Sequence, residues 1–124
     1  MHALIIEDSI LISMMVEDHL GELGYTSFAV ADNQADAIAM ALEQRPDLIT
    51  ADDGLVEGSG IAAVSEICAE EIIPTVFILG DPQKAQESGA PDHACVIAKP
   101  FLFDTFRDAV SNAIEKAALA RARD

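Results

Sequence analysis

Five residues of the chain could do chemistry together if the fold placed their side chains side by side. They are the acids Glu7 and Asp8 near the N-terminus, Asp52 and Asp53 in the middle of the chain, and Lys99 near the C-terminus. Carboxylates held together repel one another unless they share a cation, and oxygen ligands with open positions suit Mg²⁺ or Mn²⁺. A carboxylate nucleophile, a divalent cation and an ammonium group are the parts needed to form an aspartyl phosphate. The opposing interpretation is that each acid is only a polar strand end that caps a helix.

The elements that must position these residues follow a regular alternation of short apolar runs and longer stretches of helical period. The predicted strands are ALIIE (3–7), TSFAVA (26–31), DLITA (47–51), PTVFIL (74–79) and CVIA (95–98). The predicted helices lie at 10–23, at 34–44, from Ser59 to about 70, at 84–88 as a short element, and after residue 102. This alternation predicts an α/β fold, a doubly wound parallel sheet with helices on both faces. Ligands of such sheets bind at the carboxyl ends of the strands, where the five candidate residues stand.

Apolar faces can be assigned to the first and last helices from their spacing. In the first helix the apolar residues near helical spacing are Leu11, Met15 and Leu23. In the last helix the predicted core stripe is Phe103, Phe106, Val110 and Ile114.

Composition limits the class of protein. A length of 124 residues predicts one domain, 1–124, and no apolar run is long enough for a membrane helix. The formal net charge of −15 repels the phosphate backbone of nucleic acids, so direct DNA or RNA binding is not expected. Cys68 and Cys95 lie far apart in apolar sequence, which favours reduced thiols. The sequence shows no secretory signal, so the expected compartment is the cytoplasm.

Three motifs in order resemble the receiver domain of bacterial two-component response regulators, over roughly residues 3–118. Glu7-Asp8 is similar to the family's acidic pair, PDLITADDGLVEGSG (46–60) to its phosphoacceptor segment, and AKPF (98–101) to its Lys-Pro motif. The resemblance implies the flavodoxin-like strand order 2-1-3-4-5. It also selects between the two adjacent aspartates, because the family's acceptor is followed three residues later by Leu or Met and eight residues later by Gly. Leu55 and Gly60 satisfy this spacing from Asp52.

The resemblance implies a role for each site residue. Asp52 is the phosphoacceptor, Lys99, followed by Pro100, contacts the phosphoryl group, and Mg²⁺ (or Mn²⁺) is the cofactor. The implied metal ligands are Glu7, Asp8, Asp52 and the main-chain carbonyl of Gly54. Asp53 is expected to face solvent, as isolated acids usually do, rather than to tune metal affinity.

Two positions depart from the family's pattern of conformational switching. Leu79 stands where the family has Ser or Thr, and it cannot donate a hydrogen bond to a phosphoryl oxygen. Val96 stands where the family has an aromatic residue. The main-chain amide of Gly80 is a candidate replacement for the lost hydroxyl. We therefore expect phosphorylation with an unusual, weak conformational output.

The function implied is a stand-alone response regulator, without an output domain, that accepts phosphoryl from a sensor histidine kinase or phosphotransfer protein. It would be a monomer or weak homodimer, and it would either dock on an output protein or act as a phosphate sink. It is not expected to be an enzyme beyond its own phosphotransfer and dephosphorylation. The segment IPTVFILGD (73–81) also resembles stand-alone receivers of alphaproteobacterial stress or light signalling. Two alternatives are open: a pseudo-receiver that binds proteins constitutively, and a metal-dependent phosphoester enzyme of the topoisomerase-primase type.

Overall fold

A computed structural model describes residues 1–123 and places five parallel strands in one sheet. The strand order is β2-β1-β3-β4-β5, which confirms the predicted fold class and topology. Asp124, the last residue of the predicted domain, lies outside the described residues. The strands are β1 His2–Ile6, β2 Ser27–Ala31, β3 Leu48–Ala51, β4 Thr75–Leu79 and β5 Cys95–Ala98.

Helices alternate with the strands along residues 1–123. They are α1 Ile10–Glu22, α2 Gln34–Glu43, α3 Gly60–Ile67, α4 Gln83–Glu87 and α5 Phe103–Ala122. Side chains of Ser9, Asn33 and Ser59 cap the first three helices by accepting hydrogen bonds from backbone N–H groups. As predicted, α4 is short. In the described part of the chain we find no helix with both the length and the apolarity to cross a membrane.

Each face of the sheet carries its own hydrophobic core. Helices α2 and α3 cover the face that presents the side chains of Ile6, Ile49 and Phe77. Helices α1 and α5 cover the opposite face, where Val16 and Phe106 pack against the sheet. Because β1, β3 and β4 are buried on both faces, their sequences are continuous apolar runs rather than alternating ones.

The apolar residues at helical spacing in α1 do not mark its buried face, although one of them, Leu23, packs against the core. Leu11 is 79% exposed and Met15 is 38% exposed, whereas the buried residues of this helix are Ser13, Val16 and Leu20. The helix is apolar on several sides near its N-terminus, so spacing alone does not define which side meets the sheet.

One residue of the predicted core stripe of α5 also lies elsewhere. Phe106 and Val110 are buried, but Ile114 is 44% exposed. The buried face of α5 continues instead through small side chains, namely Ala109, Ala113 and Ala117. Alanine is a weak signal in a hydrophobic pattern, yet it lets the helix approach the sheet closely.

Candidate functional site

Backbone register brings the ends of β1 and β3 together. Ile6 pairs with Ala51, so the residues that follow, Glu7 and Asp52, emerge side by side, and the Asp52 N–H donates to the Ile6 carbonyl at 2.9 Å. On the other side of the site, the Lys99 N–H donates to the carbonyl of Leu79 at 2.8 Å. The carboxyl edge of the sheet therefore gathers predicted site residues from three separate strands.

Lys99 forms ion pairs with two carboxylates. Its Nζ lies 2.9 Å from Asp52 Oδ2 and 3.1 Å from Glu7 Oε1. The side chain of Glu7 is only 5% exposed, and those of Asp52 and Lys99 are 17% and 21% exposed. These charges interact in a partly desolvated environment, where electrostatic attraction is stronger than at an open surface.

Backbone donors hold the second oxygen of each carboxylate. The Ser9 N–H donates to Glu7 Oε2 at 3.0 Å, and the Asp53 N–H donates to Asp52 Oδ1 at 2.8 Å. Burial raises the pKa of Glu7 above its usual value, although the Ser9 amide and Lys99 oppose this shift. Burial alone would lower the pKa of Lys99, but its hydrogen bonds to Asp52 and Glu7 outweigh burial and raise it.

Three carboxylates converge closely enough to hold one cation. Ligand oxygens of Glu7, Asp8 and Asp52, which we call the acidic triad, lie within 4.8 Å of one another. Asp8 is exposed, so the triad opens to solvent on one side. An oxygen-only donor set with an open side fits Mg²⁺, which keeps several waters and meets phosphate oxygens.

The remaining predicted site residues follow the ends of β3, β4 and β5. Gly54 is exposed and forms an isolated backbone bridge with Ser59. Gly80 is exposed at the end of β4, and Pro100 follows Lys99 through a cis peptide bond. The proposed roles of the Gly54 carbonyl and the Gly80 amide stay predictions.

The two positions that depart from the family's switching pattern have different environments. Leu79 is 2% exposed and packs in the core between the sheet and helices α2 and α3. Val96 is 37% exposed on β5. A buried aliphatic side chain at the end of β4 cannot supply the hydroxyl that the family uses at this position.

The expectation that Asp53 simply faces solvent was wrong. Asp53 is half-buried, and its Oδ1 accepts a hydrogen bond from Ser59 Oγ at 2.6 Å and a longer one from the Ile61 N–H at 3.4 Å. Among residues 1–123, the acids that cluster within metal-ligand distance are those of the triad, so Asp53 is not part of the group.

Sequence reasoning missed the contacts by which Gln34 and Ser59 hold the β3–α3 loop (residues 52–59). Gln34 Oε1 accepts from the Ser59 N–H at 3.0 Å, and the Gln34 N–H donates to the Glu57 carbonyl at 3.0 Å. Ser59 was recognisable as a helix cap, but its second contact, with Asp53, depends on how the loop folds back. Gln34 is the first residue of α2, and its spacing from Ser59 carries no sequence signal.

The fold and this site define a flavodoxin-like α/β protein with a carboxylate cluster paired to a lysine. Residues 3–111 match the response regulator receiver domain family, and the chain belongs to that family. It is 36% identical over 123 residues to the phyllosphere-induced regulator PhyR of Methylorubrum extorquens, covering 98% of this chain and 46% of that protein. It is 34% identical to the chemotaxis protein CheY of Bacillus subtilis, covering 91% of this chain and 93% of CheY.

A solved structure has the same fold. The solution structure of the PhyR receiver domain from Erythrobacter litoralis aligns with a TM-score of 0.83 at 33% identity, over 92% of this chain and 89% of that one. The chain thus spans about half the length of the matched PhyR protein but nearly all of a PhyR receiver domain and of CheY. The predicted receiver family is confirmed.

Proposed function

We propose that this protein accepts a phosphoryl group on Asp52 from the histidine of a sensor kinase or phosphotransfer protein, in a Mg²⁺-dependent reaction. The observation that carries the proposal is the setting of the Asp52 carboxylate. One oxygen lies 2.9 Å from Lys99 Nζ, and the side chain belongs to the acidic triad. Membership of the receiver family supports the same role, since receivers are signalling phosphoacceptors rather than enzymes.

The transfer exchanges one bond to phosphorus for another. A carboxylate oxygen of Asp52 attacks the phosphorus atom, the P–N bond to the donor imidazole breaks, and a P–O bond forms. The imidazole nitrogen leaves with the electron pair and takes a proton from solvent. Such transfers depend mainly on alignment and on neutralising the charge of the phosphoryl oxygens.

The charges of the site favour a divalent cation. Three ionised carboxylates and one ammonium group leave a formal net charge of −2 on the triad and Lys99 together. Glu7, Asp8, Asp52 and the Gly54 carbonyl would hold Mg²⁺, which neutralises and aligns phosphoryl oxygens when bound. Lys99 contacts Asp52, which supports the proposal that its ammonium group donates to a phosphoryl oxygen once the carboxylate is phosphorylated.

Departures at Leu79 and Val96 concern the output rather than the chemistry. Neither side chain can take part in the coupled hydroxyl and aromatic rearrangement of ordinary receivers, so we propose weak switching. A regulator that docks on an output protein and a phosphate sink both fit this behaviour, and a sink requires less switching. The cytoplasm, the kinase and the monomeric or weakly dimeric state stay predictions.

The two alternative functions have less support. A pseudo-receiver would not need the triad and Lys99, yet the triad oxygens lie within 4.8 Å of one another and Lys99 Nζ donates to Glu7 and Asp52. Membership of the receiver family also argues against a topoisomerase-primase type of enzyme.

The test is the intact mass of the protein after incubation with Mg²⁺ and acetyl phosphate, with a phosphorylated kinase as a second donor. Wild type should gain one phosphoryl group, Asp52→Asn should gain none, and Asp53→Asn should still gain one. Omitting Mg²⁺ or adding a chelator should abolish the gain. Folded wild type that gains nothing from either donor would contradict the proposal and favour the pseudo-receiver.

A further inference from the structure

Asp53 has contacts that the proposed phosphoacceptor role does not explain. Its carboxylate is half-buried and accepts a short hydrogen bond, 2.6 Å, from the Ser59 hydroxyl. Its own N–H donates to Asp52 Oδ1 at 2.8 Å. One residue thus links the phosphoacceptor side chain to the far end of the β3–α3 loop.

The β3–α3 loop folds back so that its last residues contact its first residues. The Gly60 N–H donates to the Asp53 carbonyl at 3.1 Å, and Gly54 and Ser59 form an antiparallel backbone bridge. A Cβ on Gly60 would lie 1.7 Å from the Asp52 carbonyl oxygen. Contacts between its two ends therefore close the loop. Gly54, whose carbonyl is a predicted metal ligand, belongs to the segment that these contacts constrain.

Ser59 connects the Asp53 carboxylate to helix α3 through its hydroxyl group. Its hydroxyl donates to Asp53 Oδ1 and accepts from the Ala62 N–H at 3.1 Å, so it serves both the loop and the helix cap. The backbone N–H of Ser59 is held separately by Gln34 Oε1 at 3.0 Å. Because Gln34 and α3 fix Ser59, the Asp53 carboxylate is anchored to a point that does not depend on the triad.

We propose that Asp53 is a positioning residue for the metal site. Its carboxylate acts as a hydrogen-bond acceptor, not as a charge, and by binding Ser59 it holds Asp52 and the Gly54 carbonyl in the arrangement that binds the divalent cation. Groups that orient metal ligands without touching the metal commonly govern metal affinity. The inference rests on the proposed function, because it assumes that the triad binds Mg²⁺.

An amide substitution separates positioning from charge. Asp53→Asn removes the negative charge but keeps Oδ1 as an acceptor for the Ser59 hydroxyl, whereas Asp53→Ala removes both. Ser59→Ala removes the donor from the other side. Asp81→Ala is the matched control, since Asp81 is an exposed acid that also follows a strand at the carboxyl edge of the sheet.

The experiment is a Mg²⁺ titration of each variant of the 124-residue chain, followed through backbone amide chemical shifts, with circular dichroism to verify folding. Asp53→Ala should weaken Mg²⁺ binding about tenfold, and Ser59→Ala should weaken it in the same direction. Asp53→Asn should stay within about threefold of wild type, and Asp81→Ala should change little. The Asp53→Ala/Ser59→Ala double variant should lose less Mg²⁺ affinity than the two single effects combined, because both changes break the same Asp53–Ser59 hydrogen bond.

The ion-free protein gives an independent readout. The Ile61 amide resonance should move in Asp53→Ala and stay near its wild-type position in Asp53→Asn, since Ile61 also donates to Asp53 Oδ1.

Three results would overturn the inference. If folded Asp53→Ala binds Mg²⁺ as wild type does, Asp53 does not position the site. If Asp53→Asn is weakened as much as Asp53→Ala, the residue acts through its charge. Should Asp53→Ala not fold, wild-type affinity in Ser59→Ala would be the contradicting result. A wild type that binds no Mg²⁺ would instead contradict the proposed function itself.

Discussion

Lys99 is a built-in cation that competes with any metal ion for the same carboxylates. Its ammonium group contacts Asp52 Oδ2 at 2.9 Å and Glu7 Oε1 at 3.1 Å, and both partners are also proposed metal ligands. The lysine therefore reduces repulsion within the triad while it occupies an oxygen of the phosphoacceptor. Mg²⁺ binding and phosphorylation should respond to its removal in opposite directions.

We predict that Lys99→Ala lowers the rate of phosphorylation by acetyl phosphate but raises Mg²⁺ affinity. Unit charges about 4 Å apart interact by at least about 1 kcal/mol, which corresponds to about a fivefold gain in affinity. Intact-mass time courses and amide chemical-shift titrations measure the two quantities. Lys84→Ala, which removes an exposed lysine on α4, is the control for a general change in charge. Weaker Mg²⁺ binding by Lys99→Ala would show that the ammonium group supports the metal site.

At the scale of elements, Gly54 in the β3–α3 loop and Gly60 at the start of α3 have opposite surroundings. A Cβ on Gly60 would collide with the Asp52 backbone at 1.7 Å, whereas a Cβ on Gly54 would meet nothing within 4 Å. The close approach at Gly60 involves main-chain atoms of both segments, so a side-chain rotation cannot relieve it.

We predict that Gly60→Ala lowers the free energy of unfolding by about 3 kcal/mol or more, because the loop must open to admit the methyl group. Gly54→Ala should leave stability unchanged or raise it by up to about 1 kcal/mol, since its backbone does not require a positive φ. Urea unfolding followed by circular dichroism compares the two variants. Equal stability of the Gly60→Ala and Gly54→Ala variants would contradict the close approach of Gly60 to the Asp52 backbone.

Strands β3 and β4 each bury a threonine, with different outcomes for the hydroxyl. Thr75 Oγ1 donates to the Ile73 carbonyl at 2.9 Å. Thr50 Oγ1, also buried, contacts no hydrogen-bonding protein group within residues 1–123. A buried hydroxyl without a partner costs stability, while a satisfied one contributes to it.

Valine at the two positions should therefore have effects of opposite sign. Thr50→Val should raise the free energy of unfolding by about 1 kcal/mol, and Thr75→Val should lower it by about 1 kcal/mol. Both threonines are 1% exposed or less and lie in neighbouring strands, so each variant is the control for the other. Destabilisation by Thr50→Val in urea unfolding would indicate that its hydroxyl is satisfied after all.

The sequence was informative wherever a signal is local. Continuous apolar runs mark buried parallel strands, and the acids and lysine that follow them reach one edge because every strand points the same way. The buried side of α1 was not predictable, since Leu11 and Met15 are as apolar as Val16 and Leu20. The environment of Asp53 was predicted wrongly for a different reason. Ser59 reaches Asp53 only because the β3–α3 loop folds back on itself, and no local sequence pattern predicts that conformation.

At the scale of the whole molecule, the excess of acids is poorly neutralised. The chain has 22 acidic residues against 7 lysines and arginines. Outside the site, the ion pairs described for residues 1–123 join Arg45 to Glu71 and Arg107 to Asp104 and Asp108, all with side chains at least 47% exposed. Exposed pairs contribute little, so most of the net charge of −15 acts as repulsion within the folded protein.

We predict that salt stabilises this protein. Raising NaCl from about 10 mM to about 0.1 M shortens the Debye length from about 30 Å to about 10 Å, which screens repulsion between distant acids. The free energy of unfolding in urea should rise by about 1 kcal/mol. A variant with Asp18→Asn and Glu22→Gln, two exposed acids of α1 remote in sequence from the triad residues Asp8 and Asp52, should respond less to salt. If NaCl leaves the free energy of unfolding of wild type unchanged and only MgCl₂ raises it, the relevant repulsion is confined to the acidic triad. Mg²⁺ would then stabilise the folded protein by binding to the triad.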